Sequence, residues 1–145
     1  NRQRVDEMKE QQYPARIVLH TYENGTETLI LNTEGSVTYR GKGVFIDFDT
    51  QDYQMTIGFS EDTITLTLIG EQSYTIILSK GATEEFRLHT DYGIIPLKVT
   101  TNDIIFKDKD GVINLTLDYS MKTASVLASV TNYKLNLLCT YGGTV

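Results

Sequence analysis

The chain has 145 residues, of which 40% are apolar and 22% are charged, and its formal net charge is −6 with a pI near 4.8. This length and composition predict one soluble globular domain with its own core, and they exclude intrinsic disorder. The acidic charge argues against a nucleic-acid partner, because cations that neutralise phosphate dominate such binding. No run approaches the roughly 20 apolar residues of a membrane span.

The first 14 residues form a polar segment that differs from the rest of the chain. The run from Arg2 to Gln12 mixes both charges and is rich in helix formers, and Pro14 would end a helix there. The sequence predicts either a short helix or a frayed terminus for residues 1–14, followed by one β domain over residues 15–145.

From Ala15 onward, apolar residues recur at every second position, which is the period of a half-buried strand. Asn24-Gly25 predicts the first hairpin, because both residues tolerate positive φ. Gly35 lies inside the long strand that follows and predicts a bend or a bulge there. Further alternating segments, separated by turn residues, are predicted near residues 44–49, 53–59, 63–68 and 74–78.

The alternation continues through the second half of the chain, beginning with a strand near residues 86–90. Pro96 lies in the next strand, predicted over residues 94–100. Since proline donates no ladder hydrogen bond, we expect it at an edge, a bulge or a splayed seam. A short strand over residues 103–108 precedes the turn Asp110-Gly111. Five apolar residues then share one face of a long strand: Ile113, Leu115, Leu117, Tyr119 and Met121.

About eight to ten strands at this spacing are typical of sandwiches and barrels, and no helical pattern lies between them. A fold of alternating strands and helices is therefore excluded. The sequence predicts an all-β, antiparallel, closed or nearly closed barrel, whose last strand, near residues 133–141, carries Cys139. This cysteine is the only one, so no internal disulfide forms, and we expect a cytoplasmic protein.

Several patterned segments resemble one bacterial family. They are Lys80-Gly81, Phe86, Leu88, Thr90, Tyr92-Gly93, Thr100-Thr101, Gly111-Val112-Ile113, Asn132, Leu135, Leu137 and Tyr141. Over residues 15–141 the chain resembles the YwiB-like bacterial proteins of unknown function. The resemblance implies a calycin-like barrel, related in shape to lipocalins, in a cytoplasmic protein without an established activity. Two positions depart from the family pattern: Ile69 stands where an arginine is expected, and Leu88 where an aromatic residue is common.

The acidic residues predict no metal site. The segment from Asp108 to Gly111 resembles the start of a calcium loop, but the later ligands are missing, and the same residues suit a tight turn. The group Asp47, Asp49 and Asp52 is interpreted as protection of a strand edge. No cofactor is expected either, since Gly41-Lys42-Gly43 is not followed by a helix that could bind phosphate.

No catalytic constellation is visible, so we expect that the protein is not an enzyme. The two histidines, His20 and His89, lie far apart in the sequence, and His89 is predicted on a solvated face. Cys139 is in phase with Leu135 and Leu137, which predicts a core position rather than a reactive thiolate.

Nine tyrosines are many for this length, and a buried tyrosine gives a cavity an apolar wall with one polar group. The candidates for binding a small apolar or amphipathic ligand inside the barrel are Tyr39, Phe48, Tyr74, Tyr119 and Tyr133. The same side chains would plug a filled barrel. In that case the alternative function is protein–protein interaction or homodimerisation through a strand edge or the N-terminal segment.

Overall fold

The computed structural model describes residues 10–71, 73–123 and 129–142. These residues form ten strands: β1 (Glu10–Glu23), β2 (Thr26–Arg40), β3 (Gly43–Asp49), β4 (Tyr53–Ser60), β5 (Thr63–Gly70), β6 (Tyr74–Ser79), β7 (Thr83–Thr90), β8 (Gly93–Lys109), β9 (Val112–Thr123) and β10 (Thr131–Tyr141). In the described part of the chain, no helix is long and apolar enough to cross a membrane.

The strands form one antiparallel sheet that nearly closes on itself. Its order is β6-β5-β4-β3-β2-β1-β10-β9-β8-β7, so strands that are consecutive in sequence pair with each other, except β6 and β7, and β1 also pairs with β10. The first and last strands pair from Ala15 opposite Tyr141 to Glu23 opposite Tyr133. The predicted all-β, single-domain barrel is therefore confirmed. Its two sheet edges, β6 and β7, are consecutive in the chain.

β6 and β7 approach each other at both ends without forming a ladder between them. At the connecting turn, the Ala82 amide donates to the Ser79 carbonyl at 2.9 Å, and the Gly81 amide donates to the Thr101 carbonyl at 2.8 Å. At the other end, Ser73 and His89 form an isolated bridge. We call the unpaired gap between these two points, bounded by residues 74–78 and 84–88, the slit.

Inward-facing apolar side chains fill the middle of the barrel. Every strand except β7 contributes at least one buried side chain, and full burial of each large one stabilises the fold by about 1.5–3 kcal/mol. The buried apolar residues are Ala15, Ile17, Leu19, Val37, Ile46, Phe48, Met55, Ile57, Ile64, Leu66, Ile76, Leu78, Val99, Ile113, Leu115, Leu117, Leu135, Leu137 and Cys139.

The structure corrects the predicted domain start at residue 15, because β1 already begins at Glu10. Tyr13 lies opposite Val37 of β2, and Glu10 forms an ion pair with Arg40, so these residues are held as strand. Pro14 precedes the first β1 residue that pairs with β10, so its missing amide leaves no gap in that ladder. Residues 1–9 of the predicted N-terminal segment lie outside the described residues.

Two predicted irregularities take a different form in the structure. The strands predicted over residues 94–100 and 103–108 are one strand, β8, with a register shift between Thr101 and Asp103. This bulge breaks the period of two, which made one strand look like two. Gly35 carries no register shift, and the irregularity between β1 and β2 lies at Thr21 and Tyr22 instead.

Position 35 requires glycine because atoms of the neighbouring strands β1 and β3 leave no room for a Cβ atom there. A Cβ atom there would lie 2.2 Å from the Asp47 carbonyl oxygen and 2.5 Å from Ile17 Cδ1. We expect Gly35→Ala to lower the free energy of unfolding by about 3 kcal/mol, the upper range for overpacking. Gly41→Asn is the control, because Gly41 has open space around it and a φ of 58° that asparagine tolerates. Urea unfolding measures both, and equal midpoints for the two variants would contradict the packing at Gly35.

Cys139 is 0% exposed, and burial raises the pKa of its thiol to about 12. Because the thiolate is the reactive form, we expect the native protein to react with a disulfide reagent at pH 8 at least about a hundredfold more slowly than the urea-unfolded chain. Labelling of the native protein as fast as that of the unfolded chain would contradict the core position of Cys139.

The raised pKa of Cys139 also predicts that the free energy of unfolding falls between pH 9 and pH 12, since only the unfolded state then loses this proton.

Candidate functional site

Three of the five predicted ligand-binding residues come together at one end of the barrel. Tyr74, Tyr119 and Tyr133 line a cleft of about 260 Å³, which we call the seam cleft because it lies beside the slit. The remaining lining residues come from β6, β7, β8 and β9: Ile76, Phe86, Arg87, Leu88, Leu97 and Met121. The two edge strands, β6 and β7, therefore form the cleft together with residues of β8, β9 and β10.

The tyrosines of the seam cleft hold polar groups against an apolar wall. Tyr119 and Tyr133 are a cross-strand pair whose rings stack at 5.4 Å between centroids, with 19° between their planes. Burial raises the pKa of the Tyr74 and Tyr119 phenols above the ordinary value, so both stay neutral. In the described part of the chain, neither phenol takes part in a side-chain hydrogen bond, and neither oxygen is a fully buried atom without a partner. Among the described residues, both hydroxyls are therefore without a side-chain partner, and both tyrosines line the cleft.

The other two predicted residues lie elsewhere, so the five do not form one site. Phe48 is 2% exposed and belongs to the packed core. Tyr39 lies at the opposite end of the barrel, beside Tyr13 and Tyr141. The prediction of one ligand site along the interior fails at these two positions because core side chains fill the space between the ends.

The rings of Tyr13, Tyr39 and Tyr141 pack against one another, and with Asp108 these residues form what we call the tyrosine plug. The three ring centroids lie 5.4 to 6.1 Å apart. Tyr39 and Tyr141 each donate a phenol hydrogen bond to the Asp108 carboxylate, at 2.9 Å for Tyr141, and their oxygens are 2.6 Å apart. Desolvation, then the bond to Asp108, raises the pKa of Tyr39. The plug covers this end of the barrel with paired polar groups.

The groups considered for catalysis or metal binding do not reach the seam cleft. His20 lies 3.2 Å from Glu27 in an exposed contact, and Asp47 accepts a 2.5 Å hydrogen bond from Thr56. Asp110 and Gly111 form the predicted turn, with φ of 53° and 79°. Among the described residues, no group of three or more histidine, cysteine or acidic side chains is arranged to hold a metal.

Six lining residues of the cleft were not among the predicted ligand-binding residues: Ile76, Phe86, Arg87, Leu88, Leu97 and Met121. Arg87 is two positions before His89, so alternation predicts it on the same solvated face, and this residue is indeed exposed. The period of two does not show that β7 is a sheet edge, where an outward side chain can still border an opening. One hint was available in the sequence: Pro96, which was expected at an edge, a bulge or a splayed seam, proves to lie opposite Arg87.

Comparison with known proteins identifies the family. Residues 17–137 match the Domain of unknown function (DUF1934). The crystal structure of the ywiB protein from Bacillus subtilis superposes with a TM-score of 0.72 at 15% identity, over 96% of this chain and 98% of that chain. The structural likeness at this identity shows the fold, and no curated protein matches significantly. The family match spans most of the chain, which therefore belongs to the DUF1934 domain family, YwiB-like barrel proteins of unknown function.

Proposed function

We propose that the protein is a non-enzymatic binding protein that holds a small apolar or amphipathic molecule in the seam cleft. The observation that carries this proposal is the pair of unused phenol groups, on Tyr74 and Tyr119, in an otherwise apolar wall. A few polar groups in an apolar concavity are the usual features of a small-molecule site. The up-and-down strand order also supports the calycin-like assignment.

The size of the cleft limits the ligand. A volume of about 260 Å³ is close to the lower end of ordinary ligand sites, so the ligand is small. Each methylene that leaves water contributes about 0.8 kcal/mol, against several kcal/mol for lost freedom of motion. A chain of about eight carbons gains about 6 kcal/mol in this way, so after that cost it binds weakly, with a dissociation constant of about a millimolar or more.

The lining also supports a binding role rather than catalysis. A nucleophile needs a base within hydrogen-bond reach, and the described lining residues include no histidine, cysteine or carboxylate. The cysteine and the histidines do not line the cleft: Cys139 is in the core, His20 contacts Glu27 on an outer face, and His89 is exposed on β7 at one end of the slit. A cytoplasmic location remains a prediction from the cysteine content.

The second candidate function is association between copies through the surface beside the slit. Exposed isoleucines lie on the edge strand β6 and on β8, the partner of edge strand β7: Ile77 of β6 is 42% exposed and Ile94 of β8 is 56% exposed. Unpaired edges next to apolar side chains favour strand-to-strand contact. Light scattering tests this function, and a mass of one chain at high protein concentration would remove it.

Binding in the seam cleft is testable with phenylnaphthylamine, an uncharged dye whose fluorescence rises when it leaves water. We expect saturable binding to the native protein and at least tenfold weaker binding to Leu88→Trp, because a larger side chain on the cleft wall occupies the ligand's space. Ile77→Trp is the matched control, since it adds the same ring on the outer face of a neighbouring strand.

Urea unfolding of both variants shows whether they fold alike. If the dye does not saturate the native protein, or if it binds both tryptophan variants equally, the seam cleft is not the binding site. Saturable binding that Leu88→Trp weakens and Ile77→Trp leaves intact supports the proposal.

A further inference from the structure

Among the described residues that line the seam cleft, Arg87 is the single charged one. It lies in the middle of β7, at the rim of the slit. The bridge between Ser73 and His89 fixes the antiparallel register of the two edges, which places Thr75 of β6 across the slit from Arg87. On its other side, Arg87 pairs with Pro96, which offers no polar side chain.

No described carboxylate lies within ion-pair distance of Arg87. The acidic residue two positions earlier on the same face, Glu85, is already 3.9 Å from the ammonium of Lys98. Some exposed cations of the barrel have such partners, for example Arg16, which contacts Glu34 at 3.7 Å, and Lys80, which contacts Asp103 at 3.1 Å. The exposed cations without an ion pair among the described residues, apart from Arg87, do not line the cleft: Lys107, Lys109, Lys122 and Lys134. Within the described part of the chain, Arg87 is therefore a cation without an ion pair beside an apolar cleft, in a protein whose net charge is −6.

We propose, resting on the function proposed above, that the ligand of the seam cleft is an amphipathic carboxylate. Its carboxylate pairs with the Arg87 guanidinium at the slit, and its apolar tail lies between Leu88, Met121 and the ring of Tyr119. The planar guanidinium donates two parallel hydrogen bonds to a carboxylate. The slit supplies the entrance, because no ladder of hydrogen bonds closes it between its two ends.

Charge also explains why an anion would select this point on the surface. An acidic protein repels anions at long range, so a carboxylate needs a local cation and a short path to apolar surface. Arg87 provides the cation, and Phe86 and Leu88, its neighbours in β7, both line the cleft. A purely apolar ligand would make no use of the guanidinium.

The test compares octanoate with octanol, which share a chain length and differ in head-group charge. Each displaces phenylnaphthylamine from the native protein, and the two dissociation constants are read from the same competition assay at pH 7. We expect the octanoate-to-octanol affinity ratio to fall about tenfold in Arg87→Gln and less in Arg87→Lys, which keeps the charge without the planar fork. Arg16→Gln removes the same charge from β1 and leaves the ratio unchanged.

The outcomes separate this inference from the proposed function. If neither octanoate nor octanol displaces the dye, the binding function fails and the anion inference fails with it. If octanol binds but octanoate does not, or if Arg87→Gln leaves the affinity ratio unchanged, the cleft binds neutral ligands and the anion inference is overturned. A ratio that falls equally in Arg16→Gln would show a general charge effect and would also overturn it.

Discussion

The structure depends on one constraint: every strand presents alternate side chains to a single shared interior, and that interior is full. Residues such as Ile17, Ile113 and Leu115 are almost completely buried in its middle, where apolar packing supplies most of the stability. A ligand therefore cannot pass through the barrel. Open space exists where the inward faces run out, which is at the ends and along the slit.

The two ends meet this constraint differently. At one end, Tyr39 and Tyr141 pair with Asp108, so two partly buried phenol groups have a fixed acceptor and help to cover the end. At the other end, Tyr74 and Tyr119 line a cleft, and no side-chain hydrogen bond between described residues uses their hydroxyls. The same residue type thus closes one end of the barrel and leaves polar groups available at the other, and the presence of an acceptor decides which.

The failure of β6 and β7 to pair gives the cleft its entrance. β7 places no side chain in full burial, and its single long ladder is with β8, where Pro96 donates no hydrogen bond. Because β7 buries no side chain fully, core packing stabilises its position less than that of the other strands. The slit between β6 and β7 follows from this weaker packing of β7, and Arg87 lies along the slit.

The fold was largely predictable because alternation is a local signal. The strand from Ile113 to Met121 and the core position of Cys139 follow directly from a period of two. The bulge after Thr101 was not predictable, because one extra residue looks like a strand break. The separation of Tyr39 from Tyr119 was not predictable either, since alternation shows which face a residue lies on and not which end of the barrel it occupies.

Amide hydrogen exchange tests the central claim, a packed middle with an open seam, most directly. Amides of Tyr74–Ser79 and Thr83–Thr90 that point into the slit lack ladder partners, whereas those of Ile113, Leu115 and Leu117 lie in the core. We expect the slit-facing amides to exchange at least about a hundredfold faster than the amides of β9. Equal protection of β6, β7 and β9 would mean that the barrel is closed and would contradict the account.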